Sequence, residues 1–371
     1  MLKSIAADST ARRLALSTIV VMAVVLASFC LSDQSDAEEG DTFYSEGVQY
    51  KIVAEPSDSG TGTVSVIGFD SSAEQDIEIK GQTEFDNKPY TIVSVEDYAL
   101  SKCDHLVSLN LSGDVEIGDY AFANCSALKN ASIPDVTELG KGAFLGCRSL
   151  TTMSLDSVTI IGQNAFAECD GLETVTFGKE LDHVEGNPFV DCKSLSSMSG
   201  SNVVDGVCLV VSNKAASYAI ASEKTSLTFL ESIEAVGNSA FYGASNLEAV
   251  NLESVVSLES YAFGKCSSLA SVTVSQSLTS IGSNPFVGCV SLTEFGGDHP
   301  GIKDDGRMLV SGSKLISYAI GSGASSIVIL TVSRRWRDHR SADASPCSIW
   351  IWERSWPSRI ALSMNAGTSS T

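Results

Sequence analysis

Apolar and polar positions along the chain follow a unit that keeps returning. Residues 117–133 read IGDYAFANCSALKNASI. The same order, h-G-x-x-A-F-x-x-C-x-x-L-x-x-h-x-h with h apolar, starts at Val95, Ile117, Leu139, Ile161, Val184, Val236, Leu258 and Ile281. The second half of each unit, L-x-x-h-x-h, alternates with period two. That sends the h side chains to one side of a strand and the x side chains to the other. Strands are therefore predicted at 106–111, 128–133, 150–155, 172–177, 247–252 and 269–274. In the first half, Phe and Cys stand three apart, one helical turn, so both can face one interior from a return segment. The Gly after the first h is read as the residue that lets the chain turn tightly between strand and return.

The cysteine column measures the period. It runs Cys103, Cys125, Cys147, Cys169, Cys192, Ala244, Cys266, Cys289, with steps of 22, 22, 22, 23, 52, 22 and 23. A fixed period of this length predicts a solenoid: each coil adds one strand and one return segment, and the strands stack as a parallel sheet. Phe122, Phe144, Phe166 and Phe263 are expected to be buried in it. The column also weighs the uses of the cysteine. A chemical site is usually singular, whereas this residue comes once per coil and is replaced by Ala244 in one of them. That favours a small apolar filler in a stacked ladder. Disulfides between neighbouring rungs are the alternative, opposed by parallel side chains that point the wrong way to pair.

With Ala, Phe, Cys and Leu at fixed offsets, the unit resembles the BspA-like leucine-rich repeat of bacterial, archaeal and protist surface proteins. The resemblance covers residues 95 to about 330. It implies a β-rich leucine-rich-repeat solenoid of stacked 22–23-residue coils forming a parallel sheet. It also implies an exported or surface-anchored protein used in adhesion and protein binding. The repeat of that family has no enzymatic activity, so there is no catalytic residue to carry over.

A larger repeat of about 100 residues lies over the short one. DGVCLVVSNKAASYAI (205–220) and DGRMLVSGSKLISYAI (305–320) share nine of sixteen residues, and each follows an Asn-Pro-Phe coil. Two apolar runs around a polar turn predict a β-hairpin inserted into a coil, which accounts for the step of 52. Residues 38–92 alternate in short segments and are read as a small β cap closing the first coil, with the solenoid at 93–332. Residues 1–37 carry Lys3, Arg12 and Arg13 before an uncharged run at 14–31, the form of a signal peptide cleaved after Ala37 or of an uncleaved anchor. Phe29 stands where a lipoprotein needs a small residue before Cys30, which argues against a lipid anchor. All four tryptophans and six of the ten arginines fall between Arg334 and Arg359, so 333–371 is read as an aberrant, disordered tail. A frameshifted or truncated end is favoured over a basic, Trp-rich tail that meets a membrane or wall polymer.

A net charge of −21 opposes nucleic acid or an anionic membrane as partner. Contact with a membrane is expected only through an uncleaved N-terminal segment. The four histidines lack metal-ligand spacing, and no phosphate loop or nucleophile elbow is present. No catalytic residue, metal or cofactor is therefore expected, and an enzyme is not. What remains is a surface. The outward strand positions Ser108, Asn110, Asn130, Ser132, Thr152, Ser154, Thr174, Thr176, Asn251, Ser271 and Thr273 form polar, nearly uncharged columns. Such a face suits a protein or glycan partner on another cell or in the envelope. The alternative is a passive structural component of the cell envelope.

Overall fold

The computed structural model describes residues 38–57, 60–70, 76–229, 231–312 and 314–322, with the backbone alone at 326–329 and 350–353. The segment read as an export signal (1–37) lies outside these residues, as does the tail except for the strand Trp350–Glu353. That strand pairs antiparallel with Ser326–Ile329.

The chain is a stack of coils held by three hydrogen-bonded ladders. The first is the L-x-x-h-x-h strand. Asp76–Ile79, Ser108–Leu111 and Asn130–Ser132 pair in parallel, as do Thr152–Leu155, Thr174–Phe177 and Ser197–Gly200. Ser226–Thr228, Ala249–Leu252, Ser271–Val274 and Glu294–Gly296 form a further parallel sheet. The six strands predicted from the alternation each begin two residues later than expected, at Ser108, Asn130, Thr152, Thr174, Ala249 and Ser271. The leading Leu sits in a turn instead; the Leu128 amide, for example, donates to the Cys125 carbonyl at 3.1 Å. It is nonetheless fully buried, as are Leu106, Leu150 and Leu172.

The second ladder is the h-G element, two residues per coil: Glu116–Ile117, Glu138–Leu139, Ile160–Ile161 and His183–Val184 pair in parallel. The third ladder lies in the return segments, where every second amide donates to the next coil. Tyr120, Phe122 and Asn124 donate to the carbonyls of Lys141, Ala143 and Leu145 at 2.8, 2.8 and 2.6 Å. The return is not helical. The residue before each ladder cysteine, and before Ala244 in the coil that lacks one (Lys102, Asn124, Gly146, Glu168, Asp191, Gly243, Lys265, Gly288), has positive φ, which breaks any helix. Phe and Cys still face inward because the Cys amide closes a single turn on the Phe carbonyl.

The Gly of the h-G element, present in five of the eight coils, has a different role from the tight turn expected of it. Gly118, Gly140 and Gly162 are not left-handed. A Cβ on Gly140 would stand 2.5 Å from the carbonyl carbon of Gly118 in the coil below. Close approach of neighbouring backbones excludes a side chain there.

Phe122, Phe144, Phe166 and Phe189 stack at 5.1, 5.3 and 5.3 Å between ring centroids, and Tyr218, Phe241, Phe263 and Phe286 at 5.0, 4.8 and 5.6 Å. These two columns form the axis of one continuous apolar core. The interruption between them is the first hairpin, Cys208–Val211 with Lys214–Tyr218. Its second strand pairs in parallel with Ala235–Val236, so the hairpin is a rung of the stack as well as an insert. Ala219 and Ser222 take the places of Phe and Cys: the Ser222 amide closes the same turn on the Ala219 carbonyl, and both residues are buried. Buried Asn187 clasps this junction. It donates to the Ser239 carbonyl (2.7 Å) and accepts from Ser217 Oγ (2.6 Å) and the Phe189 amide (2.9 Å).

The N-terminal end is covered by Thr42–Ser45, Val48–Ala54, Gly62–Phe69, Gln82–Phe85 and Lys88–Val95. These continue the h-G sheet as its first strands. Asp76–Ile79, within the segment read as cap, is already the first rung of the strand ladder.

Candidate functional site

The outward positions of the strand ladder line up as the alternation requires, because parallel pairing in constant register places like positions side by side. Ser108 stands beside Asn130, Asn110 beside Ser132, Thr152 beside Thr174, Ser154 beside Thr176, and Asn251 beside Thr273. The intervening residues Leu109, Met153, Val175, Val250 and Val272 are buried and hold each strand flat. Asn110, Asn130, Ser132, Thr152, Ser154, Thr174 and Thr176 are exposed, whereas Ser108, Asn251, Ser271 and Thr273 are half-buried. Two of them have local partners: Ser154 Oγ donates to Asp156 at 2.7 Å, and Asn251 Oδ1 accepts from the Glu253 amide at 3.0 Å. Ser199 and Thr228 join the same columns in register.

The face is not the single continuous sheet expected from the sequence. At the edge of Ser197–Gly200 the Met198 amide donates to the Gly206 carbonyl of the hairpin (2.7 Å), and the Phe295 amide does the same to Gly306 (2.6 Å). The turn before each hairpin therefore stands where the next strand would pair. It separates the strand-face residues before it from those at Asn251, Ser271 and Thr273. The earlier residues are themselves in two sheets, Ser108 to Ser132 and Thr152 to Thr176, because Asn130–Ser132 and Thr152–Leu155 do not pair. Acidic residues mark the outer ends, with Asp76 beside Ser108 and Glu294 beside Ser271.

The cysteine ladder is a hydrogen-bonded column as well as an apolar filler. The thiols of Cys147, Cys169, Cys192, Cys266 and Cys289 each donate to the carbonyl of the column phenylalanine one coil back, and Cys125 to that of Leu100, which holds the same place, at 3.0–3.2 Å. All eight described cysteines are free, and only Cys103 at the end of the ladder is partly exposed. Contact with the Cys103 thiol pulls Cys125 down, but hydrogen bonding to Cys147 and burial outweigh it and leave Cys125 at about 12. Burial, with the charge of Asp205 adding to it, pushes Cys208 up to about 12. Burial also raises Cys169 well above the ordinary thiol range. Thiols held protonated in this way are poor nucleophiles and poor metal ligands. Among the described residues no group of three His, Cys, Asp or Glu side chains stands close enough to hold a metal.

The sequence reading passed over a second feature, on the other side of the coils. The groove along the h-G ladder, about 760 Å³, is lined by Asp97, Glu116, Asp119, Glu138, Lys141 and Glu185 among others. Next in the chain to two of its lining residues, Asp97 and Asp119, Tyr98 stacks on Tyr120 with centroids 5.1 Å apart, and Lys141 Nζ, from the groove lining, lies 6.0 Å over the Tyr120 ring. The signal was present in the sequence as Tyr at a position that Gly142 and Asn164 occupy in later coils.

Comparison with known proteins places this geometry. The family model described as a BspA type leucine rich repeat region matches six copies at residues 82–203 and 214–303, more than half of the chain. A leucine-rich repeat protein from Eubacterium ventriosum has a similar fold, with a TM-score of 0.55 at 17% identity over 70% of this chain and 73% of that one. The pneumococcal vaccine antigen PcpA is similar with a TM-score of 0.50 at 14% identity, over 71% of this chain and 82% of that one. No curated protein matches the chain. The six repeat copies and the stacked coils they form agree: the chain belongs to the BspA-type leucine-rich-repeat family.

Proposed function

We propose that the protein is an exported or cell-surface repeat protein that binds a macromolecular partner, protein or glycan, along its strand face. The observation that carries the reading is the exposed polar block Thr152, Ser154, Thr174 and Thr176. Its side chains stand on rigid strands in constant register, with buried residues beneath. Hydroxyl groups on such a frame offer donors and acceptors at rung spacings of about 4.8 Å, with the backbone already ordered before binding. The likeness to a pneumococcal vaccine antigen and the N-terminal signal-like segment both support a location outside the cell. Affinity is spread over several coils, since each presents only two or three outward side chains. The hairpin turns divide the surface, so the footprint is one block at a time.

The test is binding of the purified chain to a panel of immobilised extracellular proteins and glycans, alongside sedimentation of the chain alone. A saturable ligand and a non-associating chain support the reading. Self-assembly without any ligand supports a passive envelope component instead.

A further inference from the structure

Tyr98 and Tyr120 occupy a position in the coil whose φ is left-handed: +60° and +57° respectively. Side chains with a bulky Cβ substituent rarely adopt this conformation, because the Cβ crowds the following carbonyl oxygen. The next two coils place Gly142 and Asn164 there, which tolerate it, while a later coil repeats the tyrosine at Tyr261 with φ +59°. Packing does not offset the cost at Tyr98, which is 60% exposed. The pair stacks nearly parallel, with an interplanar angle of 14°. One end of the stack receives an ammonium group, that of Lys141 over Tyr120. Elsewhere in the array Lys265 Nζ lies 4.9 Å from the centre of the Tyr242 ring and hydrogen-bonds to that tyrosine. The groove beside the pair is acidic. Asp97 and Asp119 each use Oδ1 to accept an amide from the next coil, at 2.7 Å, while Glu116 and Glu138 are exposed.

We propose that this edge is a second docking surface, on which the Tyr98–Tyr120 shelf and the groove carboxylates hold a lysine- or arginine-bearing extended segment of a partner protein. Charge complementarity names the occupant. A cation over the Tyr98 ring gains from the quadrupole of the aromatic face, and further basic residues meet Glu116 and Glu138 along the groove. A neutral glycan could use the rings but would leave those carboxylates without counter-charge. The surface is separate from the strand face, so the two proposals fail or succeed independently.

The experiment measures binding of a synthetic alternating Gly-Lys peptide of about eight residues, and of its norleucine counterpart, at about 50 mM and about 300 mM salt. The test variant is Tyr98→Asn with Tyr120→Asn, because Asn already stands at this position in a neighbouring coil. The double variant is expected to fold at least as stably as the parent, since the strained conformation is relieved. It should bind the lysine peptide about five-fold more weakly or worse, with every charge of the groove unchanged. Glu116→Gln with Glu138→Gln should weaken binding and flatten its salt dependence. Changing Thr152, Thr174 and Thr176 on the strand face should leave it alone. Equal affinity of the parent and the double Asn variant would overturn the proposal, as would equal affinity for the norleucine peptide. Binding of neutral glycans with loss on Tyr98→Asn would assign the shelf to sugars and overturn it too.

Discussion

Phe144→Ala tests the physical basis of the stack. Phe144 is fully buried and packs face to face on two neighbours, Phe122 at 5.1 Å and Phe166 at 5.3 Å. Truncating a core Phe costs about 3–5 kcal/mol through lost transfer energy and the cavity left behind. Each parallel ring pair adds about 0.5–1.5 kcal/mol beyond its buried area. The rungs on either side are held by strand, h-G and return ladders, so the coil cannot collapse to fill the space. The cost should therefore lie toward the upper end of that range. Phe144→Leu keeps most of the volume and loses the stacking, so about 1–2 kcal/mol is expected. Urea titration followed by far-UV circular dichroism reads both. Because contacts run only between neighbouring coils, the alanine variant should also split the transition, with the coils around Cys147 melting first. A loss below about 1.5 kcal/mol for Phe144→Ala would refute the stacked column as a main source of stability. So would equal losses for Ala and Leu.

Further outcomes follow from the thiols and glycines. Native Cys125, Cys147 and Cys169 should label slowly with a thiol reagent and rapidly after unfolding, while Cys103 reacts first; fast native labelling at Cys147 would contradict the ladder. Cys147→Ser should retain more stability than Cys147→Ala, because a hydroxyl can replace the thiol donation to the Phe122 carbonyl at 3.2 Å. The two variants are compared by melting temperature. Folded pKa values raised to about 12 at Cys125 and Cys208 mean that the native state keeps protons the unfolded chain gives up near pH 9. Stability should thus be full below about pH 9 and fall between about pH 9 and 12, and urea midpoints flat across that window would refute it. Gly140→Ala should cost about 1–3 kcal/mol by forcing coils apart, whereas Gly296→Ala, whose added Cβ meets nothing nearer than 3.8 Å, should be close to neutral in the same titration.

Much of this architecture could be read from fixed offsets. A side chain that must touch its own copy one rung away keeps its residue type, which is why Phe122, Phe144 and Phe166 marked the core. The rest was hidden where geometry replaced identity. Ala219 and Ser222 stand in the Phe and Cys columns of the hairpin rung, and Tyr218 supplies the ring from one position earlier, so no motif survives there to be matched. The rung at Asp76–Ile79 is 32 residues ahead of its partner, because Gln82–Phe85 and Lys88–Val95 form a hairpin between them. The outward strand residues were legible from period-two alternation, since parallel pairing fixes which side each residue faces. Where the face is divided was not, because the Met198–Gly206 hydrogen bond depends on how the hairpin folds back. The thiol donations were equally invisible: sequence reports the size of a cysteine, not the carbonyl it meets.

The most direct test of the strand face as the working surface is a charge-introducing variant, Thr152→Lys with Thr174→Lys and Thr176→Lys. These residues are exposed and adjacent in register, so the array should fold with an unchanged circular dichroism spectrum and nearly unchanged melting temperature. Its equilibrium binding to the ligand found on the panel is then compared with that of the parent. Three ammonium groups on one patch should abolish binding, while any one of Thr152→Ala, Thr174→Ala or Thr176→Ala should change it by less than about three-fold. A triple variant that folds and binds as tightly as the parent would show that the partner docks elsewhere.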